Sequence, residues 1–98
     1  MVGNSSSGII EVPSFGIPTV DIGSRQCGRI AADSVLHSAT DAESITAVLR
    51  RALSPTFAAM CRSVRNPYGQ GNAAADIIRI IAAHPGPFRK QFHDLTFP

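Results

Sequence analysis

Residues 3–11 read GNSSSGIIE, and the folding of this stretch decides how the rest of the chain is organised. A turn of small, hydroxyl-bearing residues runs directly into an apolar segment. Its three serines, set between two glycines, leave backbone N–H groups unshielded and allow another molecule to approach closely. If residues 8–15 are helical, the first N–H groups of that helix have no internal partners and point outward. With the helix dipole they favour a bound anion by roughly 0.3–1 kcal/mol. Phosphate is the usual occupant. An ordinary serine-rich helix cap has the same composition, so the stretch by itself leaves both readings open.

Glu11 weights the choice. On a helix it shares a face with Ser7 and Gly8, and side chains tilt toward the helix N-terminus. Its carboxylate therefore leans toward whatever occupies the anion site. It does not complete a capping box, because the residue three positions earlier is Gly8. A carboxylate beside an anion repels it unless hydroxyls donate to it. A ribose diol carried on a diphosphate supplies such hydroxyls, as in dinucleotide folds. The plainer alternative is a solvated Glu stabilised by the dipole.

The chain has 98 residues, of which 44% are hydrophobic, and this fits one small domain over residues 1–98. A net charge of +2 without a Lys/Arg cluster argues against nucleic acid or an anionic membrane. One Tyr and no Trp leave little for base stacking. Cys27 and Cys61 form no CxxC pair, so a reducing, cytoplasmic setting is expected. The first residues lack the pattern of a signal peptide, and the apolar run near Ile77 is too short to span a bilayer. A soluble chain is expected.

In order, only Met1 and Val2 precede the glycine loop, where a buried strand is expected, so the chain is expected to begin inside a domain. The helix over 8–15 contains Pro13, which shortens or bends it, and Gly16 ends it. Residues 18–22 read as a strand, 23–29 (GSRQCGR) as a loop and 34–37 as a second short strand. Thr40 with Glu43 forms a capping box ahead of an apolar stripe of Ile45, Val48, Leu49, Ala52 and Leu53. Ser54-Pro55 opens another helix, with Phe57, Met60, Cys61 and Val64 as its buried face. NPYGQG (66–71) is a turn. Asn72 then caps a helix with Ala74, Ile77, Ile78 and Ile81 on one side, and Phe88, Phe92 and Leu95 form the apolar edge of a last short helix.

This rhythm is that of an α/β layer with short parallel strands and right-handed helical crossovers. Ligands sit beyond the carboxyl ends of such strands. Loops 3–8 and 23–29 then share one edge, and Arg25 and Arg29 return to the serine loop. Arginine matches phosphate through its fork of donors, although two solvated arginines would read the same way.

Other constellations fail on spacing. The GxxxxG of residues 3–8 is followed by Ile9-Ile10, not by the Lys-Ser/Thr of a triphosphatase loop. His37, His84 and His93 show no metal-ligand spacing, and no metal or other cofactor is expected. A triad drawn from Ser6, His37 and Asp33 lacks a GxSxG elbow.

Taken together, GNSSSGIIEVPSFGIPTVDIGSRQCGR (3–29), ADSVLH (32–37) and NPYGQGNAAADII (66–78) resemble the C-terminal part of UDP-N-acetylglucosamine 2-epimerases, closer to the hydrolysing kind that feeds sialic-acid-type sugar synthesis. The resemblance implies a partial Rossmann-like domain, one of two that face across a cleft in the glycosyltransferase-B arrangement. It implies that Ser5 and Ser6 hold the diphosphate of UDP or UDP-N-acetylglucosamine, Glu11 the ribose hydroxyls and Arg25 the nucleotide. Ser7, Gly8 and Arg29 fit the same pattern, and Tyr68 and Gly69 match a structural turn. Non-hydrolysing relatives carry a TDSGG-type loop and a paired Glu, where this chain has NSSSG and a single Glu.

The family's acidic and histidine residues for proton transfer lie outside the matched part, so no catalytic residue is expected here. The chain is expected to need an N-terminal domain or a complementary chain. A non-catalytic nucleotide-sugar-binding or partner-binding module, or an epimerase of a UDP-2,4-diacetamido-trideoxyhexose, are the alternatives. An open sheet edge would favour self-association into a homo-oligomer.

Overall fold

Residues 19–22 alternate Thr and Asp with Val and Ile, so aliphatic side chains reach one face and polar ones the other. In the computed structural model, which describes residues 1–86, 89, 94 and 95, these four residues are the central strand. The elements run β1 (Val2–Gly3), α1 (Ser7–Ile10), a 3-10 turn (Val12–Phe15), β2 (Thr19–Ile22), β3 (Val35–Ser38), α2 (Ala42–Ala52), α3 (Pro55–Cys61) and α4 (Ala73–Ala83). One parallel sheet has the order β1-β2-β3. Val2 and Gly3 pair with Val20 and Asp21, while Thr19, Val20, Asp21 and Ile22 face Val35, Leu36, His37 and Ser38. The architecture is α/β, consistent with a partial Rossmann-like domain.

Each sheet face has its own cover. Val20 and Leu36 pack with Ala52, Phe57 and Cys61, and Ile22, Val48, Leu49 and Met60 close around them. On the opposite face α1 lies against the start of β2, where Thr19 Oγ1 donates to the Gly8 carbonyl at 3.0 Å. That approach is close enough to require glycine: a Cβ on Gly8 would stand 2.9 Å from Thr19 Cγ2 and 3.2 Å from Met1 Sδ. The sheet therefore sets the residue at the loop's end.

The segment expected to be one helix over 8–15 breaks at Glu11. Ser14 N–H bonds the Glu11 carbonyl at 3.0 Å and Gly16 N–H bonds the Pro13 carbonyl at 3.2 Å, the tighter 3-10 pattern. Pro13, without an N–H, cannot extend the α-helical ladder to Ile9. Gly16 closes the turn in the left-handed region (φ 65°, ψ 30°), where a Cβ would also press on Arg62 Cα at 3.2 Å.

Helix starts follow side-chain chemistry, with two corrections to the sequence reading. Asp41, not Thr40, caps α2: its Oδ1 accepts from Ser44 N–H at 2.8 Å. The capping box expected of Thr40 and Glu43 is therefore replaced by an Asp cap one residue later. Ser54 caps α3 as expected, accepting from Phe57 N–H at 3.3 Å, with Pro55 following. Asn72 is the N-cap of α4 by position, but its side chain makes no capping bond; its Nδ2 donates to Asp76 Oδ2 at 3.2 Å.

The isoleucines of α4 form a helix but bury none of it. Ile77, Ile78, Ile80 and Ile81 are 55–67% exposed. Strand β3 begins one residue later than expected, at Val35. The edge expected of Phe88, Phe92 and Leu95 involves Phe88 and Phe92, which lie outside the described residues. No described helix is long and apolar enough to cross a membrane.

Candidate functional site

Parallel pairing brings the carboxyl ends of all three strands to one edge. The loop after β1 and the loop after β2 meet there. Gln26, only 4% exposed, donates from Nε2 to the Asn4 carbonyl at 2.9 Å, joining the two loops across 22 positions of sequence. Successive turns shape the second loop, with Cys27 N–H bonded to the Ser24 carbonyl at 3.0 Å and Arg29 N–H to the Gln26 carbonyl at 3.3 Å. The shared edge expected of residues 3–8 and 23–29 is thus present.

Within the serine loop, Ser5 organises its neighbours. Its Oγ lies 3.0 Å from Ser7 Oγ and accepts from Ser7 N–H at 3.3 Å, while its carbonyl accepts from Gly8 N–H at 3.1 Å. Ser6 is the N-cap of α1 by position, but its hydroxyl makes no capping bond; its carbonyl takes the N–H groups of Ile9 and Ile10. The expectation of free, outward N–H groups at the helix start is therefore corrected for Ser7, Gly8 and Ile9, which all find local partners. Serine side chains compete for backbone groups in this way whenever the chain turns tightly. Among the described residues the Ser6 hydroxyl makes no hydrogen bond.

Glu11 keeps helical register with Ser7 through its own N–H, which bonds the Ser7 carbonyl at 3.0 Å, and its side chain is exposed. Arg25 and Arg29 are exposed, and neither forms an ion pair among the described residues. The two loops thus carry hydroxyls and two guanidinium groups, and one carboxylate, Glu11, follows at the C-terminal end of α1. That set is chemically suited to a phosphorylated, hydroxyl-bearing ligand.

Two further features were not singled out by the sequence. Asp21 and His37, opposite each other in register, join at 2.9 Å between Oδ2 and Nδ1, with side-chain exposures of 3% and 55%. His37 thus pairs with Asp21, whereas the triad rejected on spacing would have used Asp33. Asn66, 7% exposed, is the second. Its Nδ2 donates to the Ile10 carbonyl at 2.8 Å and to Ser14 Oγ at 2.7 Å, and its Oδ1 accepts from Tyr68 N–H at 3.0 Å. Tyr68 Oη donates in turn to the Ile30 carbonyl at 2.8 Å. The NPYGQG turn is therefore a clasp that holds the α1 segment from behind. Only pairing across the fold reveals either feature. Among the described residues no cluster of His, Cys, Asp and Glu could hold a metal.

The family model described as UDP-N-acetylglucosamine 2-epimerase matches residues 1–82, and the chain belongs to that family. It is 38% identical over 81 residues to polysialic acid biosynthesis protein P7 of Escherichia coli, covering 83% of this chain and 21% of that protein. It is 41% identical over 54 residues to the UDP-N-acetylglucosamine 2-epimerase of Neisseria meningitidis serogroup B, covering 55% and 14%. A hydrolysing UDP-N,N'-diacetylbacillosamine 2-epimerase of Legionella pneumophila is 35% identical over 85 residues, covering 87% and 22%. The chain thus spans about a fifth of the length of the curated relatives it matches.

Proposed function

We propose that this chain is the UDP-binding part of a hydrolysing UDP-N-acetylglucosamine 2-epimerase. The observation that carries the reading is the meeting of the serine and arginine loops beyond the carboxyl ends of parallel strands, the place where α/β sheets take ligands. Ser5 and Ser6 hold the diphosphate, Glu11 accepts from the ribose hydroxyls, and Arg25 pairs with the nucleotide. Ser7, Gly8 and Arg29 complete the cradle: Gly8 by admitting close packing, and Arg29 by adding positive charge.

In the whole enzyme, elimination of UDP from the sugar leaves a glycal-like intermediate, to which water adds at the anomeric carbon with inversion at C2. Negative charge builds on the departing diphosphate, and serine hydroxyls with a guanidinium stabilise it most where it forms. Removal of the C2 proton needs a positioned base. That base belongs to an N-terminal domain or a complementary chain, and this chain contributes binding only. The two free cysteines fit a reducing, cytoplasmic setting.

A second reading keeps the reaction and changes the sugar to a UDP-2,4-diacetamido-trideoxyhexose. It is favoured by two relatives whose names specify N,N'-diacetylbacillosamine.

Titration of the purified chain with UDP, followed through backbone amide NMR signals, tests the proposal. Saturable shifts in residues 3–8, at Glu11 and at Arg25, weakened by Ser6→Ala or Arg25→Ala, are expected. A well-dispersed spectrum that does not respond to millimolar UDP would refute it.

A further inference from the structure

Gln26 is buried, yet half of its carboxamide is without a partner. Nε2 is committed to the Asn4 carbonyl, whereas Oε1 is enclosed and has no hydrogen-bond partner among the described residues. An enclosed acceptor without a donor disfavours the folded state, and an apolar side chain of the same length would fill the space without that penalty. Stability therefore gives no reason for a glutamine at this point. What the glutamine alone supplies is a donor to Asn4. Asn4 directly precedes Ser5 and Ser6, and Gln26 directly follows Arg25. One hydrogen bond thus fixes the spacing between the residue that carries the guanidinium and the residues that carry the hydroxyls.

We propose that Gln26 is a positioning residue. It latches the arginine loop to the serine loop, so that Arg25 and the serine hydroxyls meet a single nucleoside diphosphate. The inference rests on the reading of this edge as a UDP site. Gly23 (φ 83°) and Gly28 (φ 80°) bracket the arginine loop in the left-handed region, which glycine takes without strain. Without the bond to Asn4, the arginine loop loses its one side-chain tie to the serine loop among the described residues.

The test is Gln26→Met, which keeps length and volume while removing the donor and the orphaned acceptor together. The expected result is an unfolding midpoint in urea equal to or above that of the unaltered chain, with UDP affinity weakened about tenfold. Because the latch acts through Arg25, adding Gln26→Met to Arg25→Ala is expected to weaken UDP binding no further. Without ligand, amide relaxation (the heteronuclear NOE) of residues 24–29 is expected to fall in Gln26→Met. Unchanged UDP affinity, losses that simply add to those of Arg25→Ala, or a loss of stability parallel to the loss of affinity would each overturn the proposal. If the unaltered chain gives no saturable response to UDP, the nucleotide reading fails. The latch is then decided by relaxation alone: a lowered NOE supports it, and an unchanged NOE overturns it.

Discussion

Gly8→Ala sets two effects of known size against each other. Alanine is favoured over glycine in a helix by about 1 kcal/mol, so propensity predicts stabilisation of α1. The new Cβ, however, would stand 2.9 Å from Thr19 Cγ2 and 3.2 Å from Met1 Sδ. Met1 ends in a flexible thioether and can yield. Thr19 cannot, because it is 2% exposed and β-branched, and rotating it to free Cγ2 would carry Oγ1 away from the Gly8 carbonyl.

Overpacking of this kind destabilises by about 1–3 kcal/mol, and the lost hydrogen bond adds about 1 kcal/mol. After subtracting the propensity gain, Gly8→Ala is expected to destabilise by about 1–3 kcal/mol. Urea unfolding followed by circular dichroism measures it. Thr19→Ser, which removes Cγ2 but keeps the hydroxyl, is expected to recover about 1 kcal/mol in the Gly8→Ala background. A Gly8→Ala chain as stable as its parent, or no coupling between the two substitutions, would refute the steric argument.

Other perturbations test separate parts of the fold. Hydrogen bonding from Ser44 holds the Asp41 carboxyl below its ordinary pKa. A carboxyl lowered on folding contributes stability above its unfolded pKa and loses it as pH falls through the folded value. The helicity of α2 is therefore expected to decline below about pH 4, and Asp41→Asn, which still caps, should flatten that decline in far-ultraviolet circular dichroism. Identical acid profiles would contradict the capping role. Burial pushes the Cys61 thiol up, and the residue is 0% exposed, whereas Cys27 is exposed. Alkylation at neutral pH is expected to label Cys27 promptly and Cys61 only when the chain unfolds, as read by mass spectrometry. Equal rates at both thiols would be inconsistent with the packing of Cys61 in the core.

Local chemistry was legible in the sequence, and long-range pairing was not. The central strand, the Ser54-Pro55 helix start and the break forced by Pro13 and Gly16 all follow from a few adjacent residues. The order of loops along the carboxyl-end edge follows from parallel topology. Thr40 and Asp41 are both good caps, so adjacent residues alone do not decide between them, and the structure uses Asp41. Helical spacing identified α4, but periodicity does not state what lies opposite, and its isoleucines stay exposed. Free N–H groups at the serine loop were expected from helix geometry, whereas Ser5 folds back on its own neighbours. Gln26, Asn66 and the Asp21–His37 pair act across 22, 56 and 16 positions, respectively. No window of sequence contains both ends of those bonds.

The Asn66 clasp has a consequence for the order in which the molecule assembles. Its bonds to Ile10 and Ser14 close loops of 56 and 52 residues. The length-dependent part of that entropy is about 3–4 kcal/mol for an open chain. It falls once the sheet has drawn residues 2–38 together. The clasp is thus expected to close after the transition state, as a late event stacked on a finished sheet. Asn66→Ala should then hasten unfolding while leaving the refolding rate close to that of the parent chain, so that the turn regulates how long the native state lasts and has little influence on how quickly it is reached.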